Sequence, residues 1–470
     1  MRRGPTEPFG PAPPDCLAAA ARLRSNVPVT PGPERLLDVR PDGTVRQRSP
    51  VTGTVVWTVP GRANRPLPRM RPAGRPLATS PVNCPFCPGH FLLTTPEKSR
   101  LVGSDGADPS TWTLRRDLSA EEVTAEAAEL RRFGNLYEIL PLSYWQANHG
   151  VHIPDASWQH AHRYASTALG RHHLQELVAL RQRAAGIDPL DPTLADGELE
   201  VQAIGLFAGT HDLVVPRRHH IDGATLDDEL CASGDQTPAE HRAMIRFTVA
   251  TLSELAASYP SVRYVSVFQN WLAPAGASLE HLHKQLVAID EHGPLMDRVI
   301  TRLGEVPALF SSHVLAPAIA DGLVIAGNDH AVAVAGVGHR YPTVEIYSTS
   351  SANTPWEHEP DAIDGLSDVL HAAHAATGRL IPANEEWHFR PRDTQTAMPW
   401  RVNLKWRVST LAGFEGGTKI NVNTISPFDL RQRVVASLEM LRAQKRIAAL
   451  RIGDECRPRA DALRYEEGAG

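Results

Sequence analysis

Within the stretch AGASLEHLHKQLVAID, residues 275–290, His281, His283 and Gln285 recur at every second position. On a β-strand, alternate side chains share one face, so these three point one way while Leu282, Lys284 and Leu286 point the other. A neutral imidazole beside a tethered phosphate is a competent nucleophile, because attack at phosphorus gives a phosphoramidate that can itself be displaced. The amide of Gln285 can donate a hydrogen bond to a phosphate oxygen but cannot act as a general acid or base, which favours transfer over hydrolysis. Gly276 and the Ser278 hydroxyl, in the loop just before, could cradle phosphate oxygens with backbone amides. The chain holds 21 histidines, so spacing alone leaves a solvated histidine pair open, and the surroundings must decide.

A second constellation is NCPFCPGH, where Cys84 and Cys87 form a Cys-x-x-Cys turn held by two prolines and a glycine. Two thiolates at this spacing can chelate one zinc. A thioredoxin-like redox motif would lead directly into a helix, and Pro88 and Gly89 follow instead. Two further ligands are needed, and strand-end histidines offer them: His219 or His220 in DLVVPRRHHIDG, and His281. The guanidiniums of Arg62 and Arg65, in a Pro-fixed turn, suit phosphate or ribose contacts.

The elements that must position these groups read as a mixture. TVRQRSPVTGTVVWTVP predicts strand, turn and strand. LSAEEVTAEAAELRRFG predicts a helix opened by a Ser119/Glu122 capping box, and TPAEHRAMIRFTVATLSELAASYP one capped by Thr237 and stopped at Pro260. ELEVQAIGLFAGTHDLVVP reads as an alternating run into a strand, and VRYVSVFQN and HLHKQLVAID as strands joined by a short loop. The second half repeats the pattern, with strands at DGLVIAGNDHAVAVAGV, TVEIYSTS and WRVNLKWRVSTLAGF, and helices at DAIDGLSDVLHAAHAATGRL and DLRQRVVASLEMLRAQKRIAALR. The implied class is α+β in two similar halves. With 470 residues and 42% hydrophobic content the chain can bury a large core. A net charge of −5 gives no basic footprint for nucleic acid, and no apolar run reaches the ~20 residues of a membrane span. Five cysteines, thinly spread, argue against a disulfide framework, and the N-terminus lacks the apolar core of a signal peptide, so a cytoplasmic protein is expected.

FQNWLAPAGASLEHLHKQ resembles the active-site segment of the galactose-1-phosphate uridylyltransferase branch of the histidine-triad superfamily, where Asn, a Gly/Ser loop and His-x-His-x-Gln recur in this order. The likeness extends to SPVTGTVVWTVPGRANRP, CPFCPGH, GNLYEIL, GTHDLVVPRRHH and STLAGFEGGTKINVNTISP, six ordered blocks over residues 47–427. It implies a histidine-triad-like α+β fold whose halves each carry a mixed or antiparallel sheet packed by helices. The division it implies is a Pro-rich extension (1–34), a catalytic, zinc-binding half (35–300) and a substrate-binding half (301–470). It further implies His283 as nucleophile with Gln285, and one structural zinc on Cys84, Cys87, His219 and His281. Small superfamily members place that third ligand three residues after the proline, which favours His219, while a gapless count from Gly209 favours His220. Asn135 and Asn270, Gly276 and Ser278, Arg62 and Arg65, and Glu415 and Lys419 become substrate contacts. The implied reaction is double displacement between a nucleotide sugar and a sugar phosphate, with a phosphorylase or adenylyltransferase using inorganic phosphate, or a non-catalytic nucleotide-binding zinc protein, as alternatives. No nucleic acid or membrane partner is implied, and a homodimer is compatible.

Three departures stand out. Leu282 replaces the proline of the usual His-Pro-His. WRVNLKWR carries Arg401, Asn403 and Lys405 where a His-x-His pair for a second metal is common, so no second metal is expected. The His- and Trp-rich stretch 144–173 has no recognised counterpart, and its histidines are expected on a helix surface.

Overall fold

The computed structural model describes residues 36–60, 74–77, 84–104, 106–187 and 196–463, so the Pro-rich extension and the expected ligand-binding pair Arg62 and Arg65 lie outside the described residues. The chain enters as β1 (Leu37–Val39), β2 (Val45–Arg48) and β3 (Val55–Thr58). The β2–β3 turn closes at Gly53, whose φ of +73° lies where a Cβ would clash with the backbone. β15 (Ile420–Asn423) pairs with β3 in parallel and completes a small four-stranded sheet.

Among the described residues, the remaining strands form one twelve-stranded sheet in which every pairing is antiparallel. They are β4 (Glu97–Val102), β5 (Thr113–Arg116), β6 (Leu130–Gly134), β7 (His211–Pro216), β8 (Tyr264–Trp271), β9 (Lys284–Ile289), β10 (Val324–Gly327), β11 (Ala331–Ala335), β12 (Thr343–Ser348), β13 (Ala383–His388), β14 (Arg401–Trp406) and β16 (Arg451–Ile452). Their order is β16-β10-β11-β12-β14-β13-β8-β9-β7-β6-β4-β5. Counted from the β8–β13 join, six strands lie on each side, so the two sets of strands fuse edge to edge and neither β8 nor β13 is left as an open edge.

Period-two patterning gives this sheet two different faces. Val267, Leu286, Trp387, Val402 and Leu404 enter the main core, under the Pro238–Ser258 and Pro360–Thr377 helices. Thr237 caps the first helix, as the sequence predicts, and the structure adds a reciprocal bond from Glu240 that makes it a capping box. The opposite face carries a row in register, Gln285, Phe268, Glu386, Asn403 and Glu345, one from each of β9, β8, β13, β14 and β12. No single helix among the described residues is long and apolar enough to cross a membrane.

Several elements differ from the sequence reading. The Ser119-capped helix ends at Ala125, and its expected continuation LRRFG is β6, because Arg131 and Arg132 find buried carboxylates in Glu97 and Asp212. ELEVQAIGLFA folds as two short helices, Asp196–Ala203 and Gly205–Ala208, before β7 begins. β14 stops at Trp406, the Gly413–Thr418 segment is helical, and the C-terminal helix ends at Ala443, with Arg451–Ile452 forming an edge strand. In the 144–173 stretch His160 and His173 are buried, not surface-exposed: the first bonds the Leu118 carbonyl, and the second the Thr94 carbonyl and the Tyr164 hydroxyl. Both have their pKa lowered by burial, that of His173 to about 4, so they are neutral structural groups.

Candidate active site

Two backbone bonds wind the Cys-x-x-Cys turn, Cys87 N–H to Cys84 O and His90 N–H to Cys87 O, and Gly89 takes the left-handed conformation the turn requires. The His90 ring adds a bond from Nδ1 to Cys84 O at 2.8 Å. This turn faces His219, just beyond β7, and His281, just before β9. His219 Nδ1 lies 3.2 Å from Cys87 Sγ, and His281 Nδ1 lies 3.6 Å from Cys84 Sγ. The four ligand atoms all fall within 4.8 Å of one another, close enough to bind one metal ion. His220 stacks on His219 at 4.3 Å between ring centres and stands outside this cluster.

The donor chemistry fits a cation. The Cys84 thiol is pulled strongly down, first by the hydrogen bond from Cys87, while the same contact and burial push Cys87 up. One thiolate therefore shares its neighbour's proton at the point where a cation would replace it. His281 Nε2 bonds the Pro216 carbonyl at 2.7 Å; a carbonyl only accepts, so Nε2 carries the proton and Nδ1 offers a lone pair to the thiol side.

β9 begins at Lys284, so His281 and His283 precede the strand rather than lying within it. Alternation nevertheless continues through the approach segment: both rings meet Phe86 edge-on, at 6.0 and 5.4 Å, whereas Leu282 enters the main core. His283 is 3% exposed, and its Nδ1 lies 2.8 Å from the His281 carbonyl. Nδ1 must donate there, so Nε2 of the neutral ring keeps its lone pair. Burial lowers the pKa of His283 and favours that neutral form.

Gln285 is oriented by a residue the sequence reading did not single out. His211 opens β7, and its Nδ1 accepts from the Ile139 N–H at 3.3 Å, which places the ring proton on Nε2. That proton is donated to Gln285 Oε1 at 3.1 Å. The carboxamide oxygen is thereby occupied, and the NH₂ group is left as the donor end. Burial lowers the His211 pKa, so this arrangement uses the neutral ring. Asn135 joins the group: its N–H donates to the His211 carbonyl at 2.7 Å, and its side-chain oxygen accepts from Tyr137 N–H.

Beneath the site, on the helix side of the sheet, Lys284 is fully buried between His283 and Gln285 in sequence. Its Nζ bonds Glu385 at 2.5 Å and Gln269 at 3.1 Å. His374 and Trp387 complete the carboxylate's shell at 2.7 and 2.6 Å. A buried cation is tolerated only with such partners, and this one locks β9 to β8 and β13.

The structure divides the expected substrate residues. His283, Gln285 and Asn135 gather near the cysteine turn, while Gly276 (φ +93°) and Ser278 are exposed on the loop before it. Asn270, Glu415 and Lys419 instead line a cavity of about 1300 Å³ over the β8-β13-β14-β12 face. Asn270 Oδ1 accepts from Asn384, which also holds the Ala275 carbonyl and accepts from Arg407. Glu415 accepts from the Ala412 N–H, and Lys419 is exposed in a left-handed turn. Neither His211 nor Asn384 carries a local motif; what reveals them is the register of β7 on β9 and of β13 on β8.

The sheet and its loop-borne histidines define a galactose-1-phosphate-uridylyltransferase-like, histidine-triad type of fold. The crystal structure of an ADP-glucose phosphorylase from Arabidopsis thaliana with bound ADP-glucose superposes with a TM-score of 0.54 at 20% identity, covering 83% of this chain and 97% of that one. A GalT-like protein from the same plant gives 0.50 at 18% identity, with the same coverage. In sequence, the chain is 30% identical over 186 residues to the ADP-glucose phosphorylase of Arabidopsis thaliana, a match covering 37% of this chain and 52% of the relative. It thus spans about half the length of that curated relative. The chain belongs to the family described as domain of unknown function DUF4921, whose model matches residues 40–465.

Proposed function

We propose that this protein transfers a nucleotide from a nucleoside diphosphate sugar to a phosphate-bearing acceptor by double displacement through His283. The observation that carries this reading is the pair of fixed polar groups: His283 with Nδ1 spent on the His281 carbonyl, and Gln285 with its oxygen spent on His211, leaving Nε2 and the NH₂ without a hydrogen-bond partner among the described residues. In the first step Nε2 attacks the α-phosphorus, a P–N bond forms, and the anhydride P–O bond breaks with release of the sugar 1-phosphate. In the second, an acceptor phosphate oxygen attacks the same phosphorus and the P–N bond breaks, restoring neutral His283. The Gln285 NH₂ stabilises charge on a non-bridging oxygen in both steps. Asn135 is assigned to the nucleoside, and the exposed Gly276–Ser278 loop to the phosphates. The metal is assigned as zinc from its two-thiolate, two-imidazole ligand set; with four protein ligands it is structural, tying the cysteine turn to the His281 backbone that orients His283.

The finer reading is exchange of uridylyl groups between a UDP-hexose and a hexose 1-phosphate. A second reading, phosphorolysis of ADP-glucose with inorganic phosphate as acceptor, is favoured by the match to an ADP-glucose phosphorylase. The test is to incubate the protein with UDP-, ADP- and GDP-glucose and look by intact mass for a covalent nucleotide. Galactose 1-phosphate or inorganic phosphate is then added. The acceptor that discharges the adduct decides between the readings, and absence of any adduct with all three donors rejects both.

A further inference from the structure

The turn after β6, residues 135–139, grips His211 by both backbone and ring. The His211 N–H donates to Glu138 Oε1 at 3.4 Å, its carbonyl accepts from the Asn135 N–H at 2.7 Å, and its ring Nδ1 accepts from the Ile139 N–H at 3.3 Å. The same ring donates to Gln285 Oε1, so the turn fixes the carboxamide at one remove. Glu138 is the inward member of the turn: Tyr137 and Ile139 beside it are 59% and 61% exposed. Its carboxyl packs on Gly209 so closely that a Cβ there would lie 2.1 Å from Oε1. Besides His211, the groups around it are Lys98 on β4, Asp212 on β7, Arg181 on the Ala168–Ala184 helix and Tyr259 just beyond the Pro238–Ser258 helix. Lys98 is already bonded to Asp212, at 2.5 Å, and to the Gly209 carbonyl, at 2.6 Å. One backbone N–H at 3.4 Å is poor compensation for a carboxylate taken out of water. Burial accordingly pushes this carboxyl up to about 7, against the opposing charge of Lys98.

We propose that Glu138 is a positioning residue whose neutral carboxyl keeps this turn closed on His211, and that its ionisation slows nucleotide transfer by releasing Gln285. Ionised, the carboxylate needs donors that the turn does not supply, and it moves toward water or Arg181. Glu138 and Ile139 share a peptide unit, so that movement draws the Ile139 N–H off His211 Nδ1. The ring is then free to turn, Gln285 Oε1 loses its donor, and the carboxamide no longer holds its NH₂ toward phosphate. This role rests on the reading of His283 as the nucleophile and adds a proton-controlled setting to the same site. Transfer should weaken as pH rises through about 7.

The experiment measures kcat and KM for the full-length parent, Glu138→Gln, His211→Ala and the double variant from about pH 6 to about pH 8.5. The substrates are UDP-glucose with galactose 1-phosphate and ADP-glucose with inorganic phosphate. Glutamine has the shape of the protonated carboxyl and cannot ionise. The kcat of Glu138→Gln relative to the parent should therefore climb with pH to about tenfold, the loss expected of His211→Ala, with KM little changed. Taking the ratio at each pH cancels the titration of the substrate phosphates. In the His211→Ala background Glu138→Gln should change nothing, because the carboxyl acts only through that ring. A ratio that stays flat with pH, a KM change as large as that in kcat, or the same gain without His211 would each overturn the role. A second readout needs no turnover: in protein labelled with nitrogen-isotope histidine, the His211 ring signal, assigned by its loss in His211→Ala, should shift as pH passes about 7 and stay put in Glu138→Gln. That shift in a protein that forms no nucleotide adduct would reject transfer while supporting the hold of Glu138 on His211. A ring signal that titrates alike in both proteins would reject that hold, whatever the activity.

Discussion

At the scale of single residues, function turns on which atom of each ring or amide is left free. Replacing His283 by Ala should eliminate both exchange and the covalent adduct, as followed by intact mass. Gln285→Ala should retain binding but lose on the order of 10²-fold in kcat, the usual cost of one charge-stabilising donor. His211→Ala should show a smaller kcat loss, about tenfold, with KM little changed, because it only unfixes the carboxamide. A KM effect as large as the kcat effect would place His211 in substrate binding instead. Glu138 carries a pH effect. Burial raises its carboxyl from 4.5 to about 7, beside the His211 N–H at 3.4 Å. The folded state therefore binds a proton that the unfolded state releases earlier, and stability is lost as pH rises from about 4.5 through 7. Glu138→Gln should match the parent at pH 4 and exceed it at pH 8 by at most roughly 3 kcal/mol. Urea melts at the two pH values check this, and a gain confined to pH 4 contradicts it.

At the scale of elements, two local devices hold the approach to β9. The cysteine turn should hold about one zinc per chain by elemental analysis, and Cys84→Ala should lose it together with stability; full zinc in that variant would dismiss the site. On the other side of the sheet, the Lys284–Glu385 pair is enclosed by Gln269, His374 and Trp387. Lys284→Ala leaves a buried carboxylate short of its cation and should cost about 3–5 kcal/mol in denaturant unfolding, with part recovered on adding Glu385→Gln. A cost below about 1 kcal/mol would mean that water reaches Glu385 in the folded state.

At the scale of the whole molecule, the β8–β13 pairing and the helix pair over it make the halves interdependent. Arg242 and Arg246 of the Pro238–Ser258 helix meet Asp368 and Asp364 of the Pro360–Thr377 helix, and His241 meets Ser367 at 2.7 Å. Cutting the chain exposes two central strands and both apolar helix faces. Fragments 35–300 and 301–470 should therefore aggregate when expressed alone and co-purify when expressed together, and the intact chain should unfold in one calorimetric transition. Two well-separated transitions, or a soluble, cooperatively folded 35–300 fragment, would count against this coupling.

Periodicity and short-range chemistry made much of the protein legible in sequence. The Thr237 cap, the β2–β3 turn and the opposite faces of His283 and Leu282 depend on neighbours a few residues away, and so does the Cys84/Cys87 turn. The choice between His219 and His220 needed the position of β7 against the cysteine turn, which local sequence does not specify. The strand hidden in LRRFG, and the helices in place of an expected alternating run, were decided by distant carboxylates and by packing, which override propensity. His211 and Asn384 were invisible for the same reason. Each gains its meaning from a residue across the sheet, and that partner is set by strand register, a tertiary property that one-dimensional spacing does not carry.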